Sequence, residues 1–397
     1  MKKKISSILF LLFTSTLCMT YFTTNVVIFQ LVVYAIILLC YFYAPKVPVR
    51  CNRNLYTLLC AFTLLYLIRA FVDLELLNER QELYSSNYAV YFFMLNGIVL
   101  PAFMIPRIRH STSYFEPFVL LGLILTYSLY QSYSNFIQGN IFMTQDHRIM
   151  ANENLGVIQF GHLGLTTVIL GIYFMVRSRS NKFYMVLSVA MVSLGVMSMF
   201  LAGTRSAMLA AFIIAVIYLF AIRKVKTMLE IALVFIPFYV YSESIVSYFD
   251  DFGVNSANRI FRLLNEGGDQ SSSRSIIWEK AFSDISDNLL FGVSSFFKME
   301  DWTYVHNSII EITYALGILG GCIFVYINFE AFKIGIRELR GNNVDNKFLV
   351  FLYIQYFIYS LFSESVLRLS LYWFFLAIVI SFTTQKTQRM QCKPYQL

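Results

Sequence analysis

The chain has 397 residues, of which 58% are hydrophobic and only 14% charged, against about a quarter charged in an ordinary soluble domain. Several apolar runs reach about 18–20 residues, the length that crosses a hydrocarbon core, so the composition excludes a soluble enzyme and indicates a polytopic membrane protein. The formal net charge is +8, and it falls mostly between the apolar runs, so it needs no nucleic acid to account for it.

The first element, "MKKKISSILFLLFTSTLC", has the basic head and apolar middle of a signal peptide. It lacks a small-x-small cleavage site, Leu17 before Cys18 spoils a lipoprotein box, and a second apolar run follows at once. An uncleaved first span is expected. Hydropathy then predicts twelve spans, near 5–22, 25–44, 55–76, 88–105, 114–136, 156–176, 183–201, 207–222, 227–245, 308–328, 348–365 and 369–384. With the N-terminus inside, the inner segments hold 21 of the 31 Lys and Arg residues. Both ends are then cytoplasmic, and every inner loop is basic.

The expected organisation is nine spans over 1–245, a large outer loop over 246–306, and three further spans with a cytoplasmic tail over 307–397. In the loop, Ile277, Ala281, Ile285 and Leu289 share one helical face, which predicts an amphipathic helix lying near the membrane surface. None of the six cysteines lies in this loop, which argues against disulfides or a cysteine metal site there. The chain has no phosphate-binding Gly-rich loop ending in Lys-Ser or Lys-Thr, no His-Glu-x-x-His and no Cys-x-x-Cys. Chemistry at the outer face would therefore use an already activated substrate, with no cofactor and no metal.

Three outer-face features stand out. In "AGTRSAML", Gly203 permits a tight turn and Arg205 stands where the next helix begins, a position that attracts anions. An arginine there can also simply snorkel to the interface. In "SSSRSIIW", serines can cap the amphipathic helix and leave Arg274 near its positive end, although an ordinary solvated loop arginine fits as well. In "HNSIIEITYALGILGG", Ser308 and Glu311 fit a capping box, with Ser308 as N-cap and Glu311 at the third helical position. That assigns Glu311 a structural task and leaves His306 and Asn307 projecting from the helix mouth. Gly317, Gly320 and Gly321 suit close helix packing. Two arginines near helix starts beside a histidine suit a diphosphate with a nearby proton acceptor.

Other polar residues have plainer readings. Arg69 and Asp73, and Glu364 and Arg368, are four apart and can pair. His162 fits a hydrogen-bonded bundle residue, and His110 belongs to the inner side. Arg259, Arg262, His147 and Arg148 are further outer-face candidates for substrate contact.

These residues carry a resemblance. "HNSIIEITYALGILG" resembles the His-Asn, nine residues, Gly-x-x-Gly signature of the O-antigen polymerase and O-antigen ligase superfamily, here His306, Asn307, Gly317 and Gly320. "GTRSAML" resembles that family's turn before a span. "SRSIIWEKAFSDISDNLLFGV" resembles its Arg-x-x-x-Trp segment followed by "NPLFGVG", with Leu289 and Ser294 departing from the pattern. The resemblance implies an all-helical membrane glycosyltransferase of the GT-C type in the bacterial inner membrane, with its active site facing the periplasm. It implies an oligosaccharide on undecaprenyl diphosphate as substrate, inverting transfer without nucleotide sugar or metal, and membrane lipids, a chain-length regulator and other polysaccharide assembly proteins as partners. By the same resemblance Arg205 and Arg274 bind the diphosphate and His306 activates or orients the acceptor hydroxyl. The expected activity is polymerisation of the surface polysaccharide, with ligation of the finished chain to lipid A–core as the alternative. Twelve spans would also suit a lipid-linked oligosaccharide flippase, and a non-enzymatic subunit of an assembly complex stays open.

Overall fold

A computed structural model describes residues 53–77, 90–91, 94–105, 115–138, 156–178, 180–222, 272–297, 299 and 304–382. Its regular elements are helices, in the order α1 (Arg53–Phe71), α2 (Leu100–Met104), α3 (Phe115–Ile137), α4 (Val157–Arg177), α5 (Lys182–Ala202), α6 (Arg205–Ile222), α7 (Ser272–Asp287), α8 (Ser308–Arg340), α9 (Val344–Phe362) and α10 (Ser370–Ser381). Single π-helical turns extend α1 (Val72–Leu76) and precede α2 (Leu95–Val99). The spans expected at 5–22, 25–44 and 227–245 lie outside the described residues. Among the described residues, four helical segments are long and apolar enough to cross a membrane, namely Arg53–Leu76, Val157–Arg177, Lys182–Ala202 and Ser308–Arg340, with Arg205–Ala221 and Ser370–Ser381 as shorter apolar helices. Among the described residues the fold is all-helical, with apolar helices of the kind a membrane protein has.

Backbone proximity holds the first large pair together. A Cβ on Gly164 of α4 would stand 2.6 Å from the carbonyl oxygen of Gly195 on α5, and one on Gly195 would meet the Gly164 carbonyl at the same distance. Small residues let helices approach this closely where no hydrophobic driving force acts between them. Between α5 and α6 the chain reverses at Gly203, whose φ of 56° is the left-handed conformation that favours glycine. Helices α9 and α10 form the centre, with Tyr353, Tyr372 and Trp373 at most 1% exposed. The Tyr353 and Tyr372 hydroxyls both donate to Asn328 Oδ1 of α8, at 2.9 and 2.7 Å. At the end expected to be cytoplasmic, Asp345 at the start of α9 accepts from the Tyr173 hydroxyl at 2.9 Å and lies 3.8 Å from Arg177.

Helix α8 departs from the expected 308–328 in two ways. It runs on to Arg340, because "FEAFKIGIRELR" keeps helical spacing beyond the apolar stretch, with Glu330 and Lys333 paired on its surface. It is also broken at Gly317, where φ is 70° and ψ −175°. The segment after α7 fills the break: Ile318 N–H donates to the Leu289 carbonyl at 2.8 Å, and Val293 N–H to the Tyr314 carbonyl at 2.6 Å. A Cβ on Gly317 would fall 2.2 Å from the Leu290 carbonyl oxygen, so this glycine makes room for the docked connector rather than for a neighbouring helix.

Helix α7 is amphipathic as expected, but its apolar face meets protein. Ile277, Ala281 and Ile285 are buried against Phe297, Val305, Ile310 and Tyr314, in a cluster separate from the main core. Leu289, expected on that face, lies beyond the helix end and is 50% exposed, because the turn after Asp287 carries it off the helical stripe. The described residues thus form a bundle and a cap, the cap made of α7, its connector and the entry to α8.

Candidate functional site

Two helix starts and one loop converge at the end of the bundle under the cap. Helix α6 begins at Arg205 itself, directly after the Gly203 turn. Its neighbour Ser206 is buried, 3.0 Å from His162 Nε2 and 2.9 Å from Ser363 Oγ. The His162 ring stacks on Tyr359 at 4.0 Å, so His162 is a bundle residue, as expected. Arg274 stands in the first turn of α7. One turn on, Trp278 donates its indole N–H to the Val305 carbonyl at 3.0 Å. The Arg-x-x-x-Trp spacing thus has a geometric meaning: residues four apart share a helix face, and the tryptophan ties that face to the residue before His306.

His306 has φ of 59°, and no other non-glycine residue among those described has positive φ. Such a backbone costs of order 1–3 kcal/mol and persists where the surroundings over-determine it. The Tyr304 ring lies 4.2 Å from the imidazole, and the Ser363 backbone accepts a hydrogen bond from it. Burial, reinforced by the Arg274 guanidinium, pushes the His306 pKa down to about 4, so the ring is neutral near pH 7. Burial also lowers the pKa of Arg274, which as a guanidinium keeps its charge.

The capping of α8 corrects the sequence reading. The N-cap is Asn307, whose Oδ1 accepts from Ile309 N–H at 3.0 Å and Ile310 N–H at 3.2 Å. The left-handed His306 followed by extended Asn307 starts the helix at Ser308, which puts Glu311 at the fourth helical position, too far along to reach back to the cap. Ser308 instead pairs with Ser360 at 3.0 Å. The buried Glu311 carboxylate accepts from the Ser365 hydroxyl and the Val366 N–H, in the turn between α9 and α10. Asn307, a candidate for substrate contact, thus has its side-chain oxygen engaged in capping.

That turn supplies groups the sequence did not assign to the site. Glu364 is 3.7 Å from Arg368 and also accepts from Gln159 of α4 and the Ser365 N–H. Its pairing with Arg368 is as expected, but it occurs in the Ser363–Leu369 turn rather than inside a span. Burial raises the Glu364 pKa, with Arg368 opposing. Tyr304 sits among Glu364, Arg368, Glu311 and Arg274, and burial raises the pKa of its phenol. The four-residue spacing of Glu364 and Arg368 was the only sequence signal for this group, and nothing local linked it to His306.

The structure therefore brings Arg274 and His306 together beside Tyr304. It joins Arg205 to them through its neighbour Ser206, which bonds Ser363, whose backbone holds His306. Arg259, Arg262, His147 and Arg148 lie outside the described residues. Chemically, the assembly offers guanidinium cations for an anion, a neutral imidazole for a hydroxyl, and carboxylates and an aromatic ring for a polyhydroxylated partner.

No curated protein matches the chain. Residues 190–325, about a third of the length, match the family model described as O-antigen ligase. The match runs from within α5 into α8 and includes Arg205, Arg274, Trp278 and His306, so this segment of the chain is similar to the O-antigen ligase family.

Proposed function

We propose that the protein is a surface-polysaccharide polymerase that transfers a growing glycan from undecaprenyl diphosphate onto a lipid-linked repeat unit. It works at the periplasmic face of the bacterial inner membrane. The observation that carries this reading is a cationic Arg274 whose charge acts on a neutral, conformationally strained His306 inside the family-matched segment. In the reaction the acceptor hydroxyl oxygen attacks the anomeric carbon, forming the new glycosidic bond. The bond from that carbon to the diphosphate oxygen breaks with inversion, and the electron pair leaves on the diphosphate. Arg274, together with Arg205 at the positive end of α6, stabilises that charge. The neutral imidazole of His306 accepts the hydrogen bond of the attacking hydroxyl, orients it and takes up its proton as the glycosidic bond forms. Partners that set chain length would act outside this step.

A second reading, ligation of the finished glycan to lipid A–core, is favoured by the description of the matched family. Gene deletion followed by electrophoresis of the lipopolysaccharide separates the two. Core carrying one repeat unit identifies a polymerase, and bare core with chains held on the carrier identifies a ligase. A lack of periplasmic repeat units would identify a flippase instead. His306→Ala, present at normal membrane levels, abolishes product if the site is enzymatic; undiminished polymer refutes both enzymatic readings.

A further inference from the structure

The site is divided between two bodies. Arg274, Tyr304 and His306 ride on the cap, whose own small core is distinct from that of the bundle. Arg205, Ser206, Ser363, Glu364 and Arg368 belong to the bundle. Productive chemistry requires the two halves to hold a fixed relation, since misplacement of about 1 Å can cost ~100-fold in rate.

Residues far away in sequence add to that connection, beside the bonds of His306, Ser308 and Glu311 to the end of α9 and the turn after it. Asp73 is fully buried in the π-helical turn that ends α1. Its Oδ2 accepts the Ser295 N–H at 2.6 Å, and its carboxylate pairs with Arg69 at 3.1 Å. Arg69 in turn donates from Nη2 to the Val293 carbonyl. The opposite side of the same short segment is held by the break in α8, through Val293 with Tyr314 and Leu289 with Ile318. Residues 289–295 are thus gripped between α1 and α8. An inserted π-turn re-aims the side chains around it, and such turns are frequent at functional sites. An ion pair on a membrane helix is costly and is kept where it has a task. Here that task is visible: besides pairing with each other, each charged group makes a hydrogen bond to the connector backbone.

We propose that Arg69 and Asp73 are positioning residues, which rivet the cap to the bundle and so set Arg274 and His306 against Arg205 and the Ser363–Leu369 turn. The proposal rests on the glycosyl-transfer reading above, and it concerns a pair outside the family-matched segment 190–325.

The test is a set of variants reconstituted in vesicles with lipid-linked repeat units extracted from a strain lacking this gene. Asp73→Asn lowers turnover at saturating substrate about tenfold or more while apparent KM changes less than about threefold, since orientation rather than substrate affinity is lost. In an active background whose six native cysteines are replaced by serine, Asp73→Cys alone behaves as Asp73→Asn does. Combined with Ser295→Cys and oxidised, it regains turnover to within about threefold of that background, and reduction abolishes the gain. A role in folding alone would lower the amount of folded protein without such a reversible recovery. Full turnover in Asp73→Asn overturns the proposal, as does a cross-link that fails to form or forms without restoring turnover. His306→Ala run alongside separates the two levels: activity there defeats the glycosyl-transfer reading itself, whereas an inactive His306→Ala beside a fully active Asp73→Asn defeats only the rivet.

Discussion

Replacing Gly317 with alanine should damage this protein more than its size suggests. At φ 70° and ψ −175° the residue occupies a region closed to L side chains, at about 1–3 kcal/mol for the backbone alone. The added Cβ would stand 2.2 Å from the Leu290 carbonyl oxygen, a backbone atom that cannot rotate away. Relief requires the connector to lift off the break, which sacrifices the Ile318–Leu289 and Val293–Tyr314 hydrogen bonds at about 1 kcal/mol each. The reduced freedom of the unfolded chain returns about 0.4–1 kcal/mol, leaving a net loss of roughly 2–4 kcal/mol. Gly156→Ala is the comparison: its φ is −60°, and a Cβ there meets nothing closer than 3.9 Å, so the cost stays near or below about 1 kcal/mol. Thermal unfolding of both purified variants in detergent, with transfer activity in vesicles, measures the difference. Gly317→Ala should melt well below Gly156→Ala and lose transfer, because the displaced connector leads into the cap. Equal melting of the two variants with intact activity would mean that the break at Gly317 is dispensable.

Further outcomes follow from the site. Trp278→Phe keeps an aromatic ring but removes the donor to Val305, and it should cost about 1–2 kcal/mol of stability. Turnover should fall further than that loss explains, because the Arg274 turn is no longer tied to the His306 turn; unchanged turnover in vesicles would contradict this. The pH dependence follows from a His306 pKa near 4. Its proton is lost far below the usual value of about 6.5, so transfer should stay level as pH falls from 8 to about 5. The contribution of His306 to folded-state stability is lost as pH falls from about 6.5 toward 4, because the unfolded chain takes up this proton first, while the raised pKa of Glu364 acts in the opposite sense. An acid limb centred near pH 6.5 in the rate profile would show the ring to be an ordinary solvated histidine.

The amino-acid sequence by itself determined the membrane character, most helix positions among the described residues, and the helix-start placement of Arg205 and Arg274. These depend on hydropathy, periodicity and turn chemistry, which are properties of neighbouring residues. It also contained the motifs that point to one superfamily, and the four-residue spacings that pair Arg69 with Asp73 and Glu364 with Arg368. Tertiary structure decided everything that depends on distant partners. The left-handed turn at His306 moved the cap of α8 to Asn307 and freed Glu311 to bind the turn between α9 and α10. The docked connector opened α8 at Gly317, which periodicity alone renders as a packing glycine. The apolar stripe of α7 met the entry of α8, because a stripe specifies that something apolar covers it but not what. The link between Asp73 and Ser295 spans 222 residues. No local pattern encodes such a contact, because it arises only once the cap folds down onto the bundle.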